Sequence, residues 1–127
     1  MPNTVLVKEE TPLAKYYMNK SVAEQNSIDM AWTLLMREEY NDLRHAICVN
    51  QAELNRFRQL VVNCVMATDI MDKNLKQLRN ARWDKAFAEK VEGFPEEDAT
   101  VSRNRKATII IEHLIQASDI AHTMQHW

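Results

Sequence analysis

Near the C-terminal end of the sequence, Asp119, His122 and His126 stand at i, i+3 and i+7, a spacing that places all three on one face of a helix. A carboxylate and two imidazoles so arranged can hold a divalent metal, the aspartate adding an anionic oxygen that offsets charge on the ion. The plainer reading is surface histidines near a helix end and an aspartate making local hydrogen bonds. Ser21 and Glu24 have capping-box spacing, in which the hydroxyl accepts from an early helical N–H and the carboxylate reaches back to the cap. Thr68 and Asp69 set a hydroxyl beside a carboxylate within a helical pattern, where a bend is reasonable. Cys48 and Cys64 stand singly, with neither a CxxC pair nor a His-rich knuckle nearby, and read as buried packing thiols. His45 and His113 read as ordinary polar residues.

The elements that must position these groups are helical. One glycine (Gly93) and three prolines (Pro2, Pro12, Pro95) in 127 residues leave few places for the sharp turns that hairpins require, so the fold class is all-α. With 46% hydrophobic and 27% charged residues the composition is that of an ordered globular chain. Sixteen Lys and Arg against 18 Asp and Glu give a net charge of -2, and no long-range field draws nucleic acid or anionic lipid. The longest apolar runs fall far short of a membrane span and are broken by Glu112 and His113. The opening MPNTVLVKEE has no secretory pattern, which makes a reducing compartment the expectation.

Periodicity places three helical tracts. The first starts at the Ser21 cap and runs to about Glu38, with Met30, Ala31, Leu34 and Leu35 as its apolar face and a break at Asn41 and Asp42. The second opens on an Asn50 cap with Glu53, carries Leu54, Phe57, Val61 and Val65 at three- and four-residue spacing, and continues toward Lys90 with a bend at residues 67–69. The third covers about Arg103 to Asp119; Ile109, Ile110, Ile111, Leu114 and Ile115 make it apolar on more than one face, so it is expected to be central. Residues 92–104, polar and holding Gly93 and Pro95, are expected to form a loop.

Three stretches in order carry a resemblance. NTVLVKEETPLAKYYMNKSVAEQNSIDMAWTLL (residues 3–35), FRQLVVNCVMATDIMDKNLKQL (57–78) with its Ala67-Thr68-Asp69, and IIIEHLIQASDIAHTM (109–124) with Ala117, Asp119 and Ile120 together resemble the catalytic domain of the class I 3',5'-cyclic-nucleotide phosphodiesterases. In the first stretch Asn3, Leu6, Leu13, Ala14, Tyr17, Ser21, Val22, Glu24, Ala31, Leu34 and Leu35 hold the expected residue types. In the third, Ser118 takes the place of an alanine in the family's Ala-Asp-Leu tract. Shared order and spacing across most of the chain are far more specific than one short motif. Residues 92–104 fall where the family varies in length.

The resemblance implies an all-helical HD-type metal-dependent hydrolase acting on cyclic AMP or cyclic GMP in signal transduction. It implies two divalent ions, zinc plus magnesium or manganese, activating a water and clamping the phosphate. Asp119 resembles a carboxylate ligand of the tighter metal. Glu24, Thr68 and Asp69 correspond to residues that contact metal-bound waters and orient the nucleophile. Ile70 and Ile120 fall at positions that line the nucleotide pocket, and both equally suit plain core packing. Tyr17 corresponds to a core or pocket-edge tyrosine, with packing its expected role.

The chain also departs from the family pattern. Where the family has two consecutive histidines after the Glu24 position, this chain has Asn26 and Ser27, so a supporting contact to the metal site is missing. Where the family has Ser-Asn-Pro after the Asp119 tract, Ala121-His122-Thr123 replaces a pocket amide with the His122 imidazole. The alignment implies that the remaining metal ligands and the general-acid histidine precede residue 1, and that the purine-binding glutamine and its aromatic clamp follow residue 127. The expectation is therefore a partial catalytic domain over residues 1–127, without N- and C-terminal helices, inactive by itself and not retaining its metals. It is expected in the cytoplasm, or as the cytoplasmic part of a larger membrane protein. The alternative is a helical interaction module or pseudoenzyme remnant that self-associates through exposed apolar faces.

Overall fold

A computed structural model describes residues 2–88 and 99–124, and all regular structure among them is helical. The helices are α1 (Asn3–Lys8), α2 (Pro12–Tyr16), α3 (Val22–Leu35), α4 (Asn41–Ile47), α5 (Gln51–Ala67), α6 (Lys73–Phe87) and α7 (Ala99–Ile120). Short 3-10 turns occupy Glu38–Tyr40 and Ala121–Met124. The chain divides into two compact units, residues 1–69 and residues 70–127. No described helix is long and apolar enough to cross a membrane.

In the first unit, α1 and α2 are short helices that the periodicity did not assign. Both end in Schellman motifs: Thr11 N–H donates to Leu6 O at 3.2 Å and Glu10 N–H to Val7 O at 3.1 Å, and Asn19 N–H donates to Ala14 O at 2.8 Å and Met18 N–H to Lys15 O at 3.1 Å. Each motif needs a left-handed residue. Because the only glycine is Gly93, that role falls to Glu10 (φ 48°) and Met18 (φ 52°). Packing of α1 and α2 buries Ala14, Tyr17 and Val22, with Leu6, Val7 and Leu13 against them.

The inward face of α3 differs from the expected one. Ile28 is buried and Trp32 and Leu35 are half-buried, at i, i+4 and i+7, whereas Met30, Ala31 and Leu34 are exposed. Two apolar stripes lie side by side on this helix, and the aromatic one packs: Trp32 meets Phe57 of α5 at 6.5 Å, with the Arg58 guanidinium over the indole at 5.5 Å. The helix stops at Leu35, and Asn41 begins α4 rather than a break. From α4, Arg44 donates to the carbonyls of Leu35 and Arg37, both at 2.6 Å, satisfying acceptors at the α3 end. The Asn50 cap forms as expected, Glu53 N–H donating to Asn50 Oδ1 at 3.0 Å, and Leu54, Phe57, Val61 and Val65 of α5 are all half-buried.

The long tract expected from residue 50 toward residue 90 is two helices, not one bent helix. Residues 68–72 separate them, and Asp72 caps α6 by accepting from Asn74 N–H at 2.8 Å and Leu75 N–H at 3.1 Å.

In the second unit α6 packs on α7 through Trp83, which lies 4.5 Å from Phe87 and 4.7 Å from His113 between ring centroids. Arg82 Nη1 donates to both carboxylate oxygens of Glu112 at 3.0 Å. Residues 99–104, expected in a loop, belong to α7, because its inward stripe of Ser102, Arg105, Ile109 and Glu112 starts in polar letters that apolar periodicity cannot see. The rest of that expected loop, residues 92–98, lies outside the described residues. The expectation of a centrally buried α7 also fails: Ile109 and Glu112 are its buried residues, while Ile110, Ile115 and Leu114, the last 60% exposed, face outward.

Candidate functional site

Within the first unit, four polar residues from distant points of the sequence meet. Asn3 opens α1, Ser21 and Glu24 flank the start of α3, and Asp69 follows the end of α5. Ser21 Oγ donates to Asp69 Oδ2 at 2.7 Å, and Asn3 Nδ2 donates to Glu24 Oε2 at 2.7 Å and, at 3.4 Å, to Asp69 Oδ2. These are hydrogen bonds to ionised acceptors, roughly twice as strong as neutral ones. Asp69 is only 6% exposed and Ser21 is buried, so the Ser21 bond lies out of competition with water.

This arrangement corrects the capping-box expectation. Ser21 precedes α3 but makes no side-chain cap, and its backbone is left-handed at φ 38°, ψ 49°. The amide of Asn3 does the capping instead, its Oδ1 accepting from Ala23 N–H at 2.8 Å. Freed from the local role, Ser21 and Glu24 turn toward Asp69 and Asn3. Glu24 Oε1 accepts no hydrogen bond from the described residues.

Thr68 stands next to this cluster, with its hydroxyl donating to Val65 O at 2.7 Å, so its proton serves the end of α5 and its lone pairs remain acceptors. Tyr17 packs as expected at 8% exposure and donates to Asp29 Oδ2 at 2.8 Å. Burial pushes its phenol from 10.0 up to about 12; the Asp29 hydrogen bond, the Asp29 charge and Tyr16 act in the same direction. Asn26 and Ser27 bond within their own helix, Asn26 Nδ2 to Met30 Sδ at 3.3 Å and Ser27 Oγ to Ala23 O at 2.8 Å.

The other candidates belong to the second unit. Asp119 is exposed in the last turn of α7, not on a buried helix, and its carbonyl meets His122 Nδ1 at 3.2 Å. The helix changes to a 3-10 turn at Ala121, so the regular spacing behind the Asp119, His122 and His126 face does not persist, and His126 lies outside the described residues. Ile70 and Ile120 are exposed, Ile70 to 47%, so neither packs in a core. His45 and His113 place Nδ1 2.8 Å from the carbonyls of Asn41 and Ile109, four residues back on their own helices. No disulfide joins Cys48 and Cys64. Among the described residues no three His, Cys, Asp or Glu side chains are gathered to hold one ion. The residues described therefore do not fit a complete metal site.

The residue whose part the sequence reading missed is Asn3, which matched the expected type without a role. Its position at the opening of a helix carried a signal, but its partners lie 21 and 66 residues away.

Comparison with known proteins adds a second line of observation. The family model described as 3'5'-cyclic nucleotide phosphodiesterase matches residues 1–127. The chain is similar to the cGMP-inhibited 3',5'-cyclic phosphodiesterase 3A of Homo sapiens, 39% identical over 69 residues, which is 54% of this chain and 6% of that protein. The proteins of the same name from Rattus norvegicus and Mus musculus are 38% identical over 69 residues, with the same shares of each chain. The match thus spans a small part of these relatives' own length.

Proposed function

Since the chain belongs to the 3'5'-cyclic nucleotide phosphodiesterase family, we propose that residues 1–127 are part of a catalytic domain that hydrolyses cyclic AMP or cyclic GMP to the 5'-monophosphate. In that reaction water adds to phosphorus, the bond to the ribose 3' oxygen breaks, and that oxygen takes a proton. The observation that carries the reading is the meeting of Glu24 and Asp69, distant in sequence, around Asn3 and Ser21. A carboxylate needed only as a cap would turn back toward Ser21; Glu24 does not, and its Oε1 is left to accept from water.

In this reading Glu24, Asp69 and Thr68 orient waters at the reacting centre, and Asp119 supplies one carboxylate toward a divalent metal. Ile70, Ile120 and His122 belong to the wall of the nucleotide pocket. Their exposure suits surfaces that bind another group rather than a finished core. The purified chain is expected to be inactive with zinc, magnesium or manganese supplied, since one ligand does not hold such ions against water.

An exchange experiment tests the proposal. Residues 1–127 of this chain replace the matching segment of an active member of the family, and cyclic-nucleotide hydrolysis is measured. Retained activity that falls with Glu24→Gln and with Asp119→Asn supports the reading; a folded exchange protein indifferent to both substitutions rejects it.

A second reading is favoured by one observation: large apolar side chains are exposed on several helices, among them Leu43 and Ile47 on α4 and Ile110 and Leu114 on α7. Such faces favour self-association of a helical interaction module. Sedimentation of the purified chain as a monomer across the micromolar range rejects that reading.

A further inference from the structure

We infer that Asn3 is the positioning residue for Glu24, a role that rests on the reading of Glu24 as a site carboxylate. One amide group does two jobs that fix its orientation. Its oxygen must face the Ala23 N–H, which can only donate, and its nitrogen must then face the Glu24 carboxylate, which can only accept. The planar amide therefore holds the start of α3 and the direction of Glu24 together, with no freedom to flip.

The alternative for Glu24 is local and always available: folding back to the N–H of Ser21 as the sequence spacing invites. At 2.7 Å from Oε2, the Asn3 amide is a charge-assisted donor that outcompetes that rotamer. The same nitrogen lies 3.4 Å from Asp69 Oδ2, so a neutral donor sits between two carboxylates and reduces their mutual repulsion. Ser21 holds Asp69 by the shorter bond, which leaves Asn3 committed chiefly to Glu24.

Asn3→Asp tests this, because aspartate keeps an oxygen for the Ala23 N–H and loses the donor to Glu24. Carboxyl-carbon NMR of the full 127-residue chain is the readout. The expected result is a displaced Glu24 resonance with the Ala23 amide still protected from hydrogen exchange and helical ellipticity unchanged. An unmoved Glu24 resonance overturns the inference. Should Asn3→Asp fail to fold, Glu24→Gln reports from the other side: the Asn3 side-chain amide resonances move, and if they stay the inference is wrong. The exchange experiment above separates the two failures. If Asn3→Asp displaces Glu24 while Glu24→Gln leaves hydrolysis intact, it is the site reading of Glu24 that fails; if Glu24→Gln abolishes hydrolysis and Asn3→Asp changes neither kcat nor the Glu24 resonance, it is the positioning role.

Discussion

Ser21 Oγ donates to Asp69 Oδ2 at 2.7 Å across 48 residues, from a backbone position that is left-handed. A non-glycine residue in that region costs about 1–2 kcal/mol, and the bond to a buried carboxylate offsets it. The two contributions can be separated. Ser21→Ala loses the bond and keeps the strain, so it is expected to lower stability by about 2 kcal/mol. Ser21→Gly loses the bond and relieves the strain, and its loss is expected to be smaller by about 1 kcal/mol. Urea denaturation of the two variants checks the order; equal losses would mean that the backbone is unstrained.

The two Schellman motifs give a stabilising prediction. Glu10 and Met18 are exposed, Met18 to 77%, and their side chains contribute little packing to set against their left-handed backbones. Glu10→Gly and Met18→Gly are each expected to stabilise the chain by about 1 kcal/mol, the relief at φ > 0 exceeding the added freedom of the unfolded chain. Thermal unfolding reads this as a higher midpoint for each variant.

Tyr17 makes stability depend on alkaline pH. Its phenol is held up to about 12 in the folded chain against 10.0 unperturbed, so the folded state binds the proton more tightly. The stability this contributes is fully present below pH 10 and is lost as pH rises through about 12. Absorbance of tyrosinate near 295 nm, compared between the wild type and Tyr17→Phe, should show Tyr17 ionising above pH 10. Asp29→Asn should bring that transition down. A Tyr17 transition at the ordinary value contradicts the geometry.

In the second unit Glu112 is 3% exposed and its carboxylate is held by Arg82, which is partly open to solvent. Arg82→Met leaves a buried charge without this partner and is expected to cost about 2 kcal/mol, below the full cost for a completely buried pair because water reaches the arginine. Adding Glu112→Leu removes the stranded charge and should recover most of the loss. A double-mutant cycle by chemical denaturation measures the coupling, and additive losses would rule it out.

Part of this was legible from local rules. The Asn50 cap of α5 joins residues three apart, and the half-buried stripe from Leu54 to Val65 follows from helical period alone. Single-sequence reasoning failed where two local answers competed. On α3 both Met30-Leu34 and Ile28-Trp32-Leu35 satisfy helical spacing, and only packing of Trp32 against Phe57 selects the second. The start of α7 was hidden because its inward stripe begins with Ser102 and Arg105 rather than with apolar side chains.

The sequence by itself determined that this chain is helical, since one glycine and three prolines leave little else, and its ordered stretches are specific enough to identify the family. Tertiary structure alone decided what Ser21 and Glu24 do. Their spacing describes a cap, and a cap is what they would form in isolation. Asn3 and Asp69, brought from 21 and 48 residues away, offer bonds to charged groups in a partly dry setting, where such bonds are stronger than the local ones they displace.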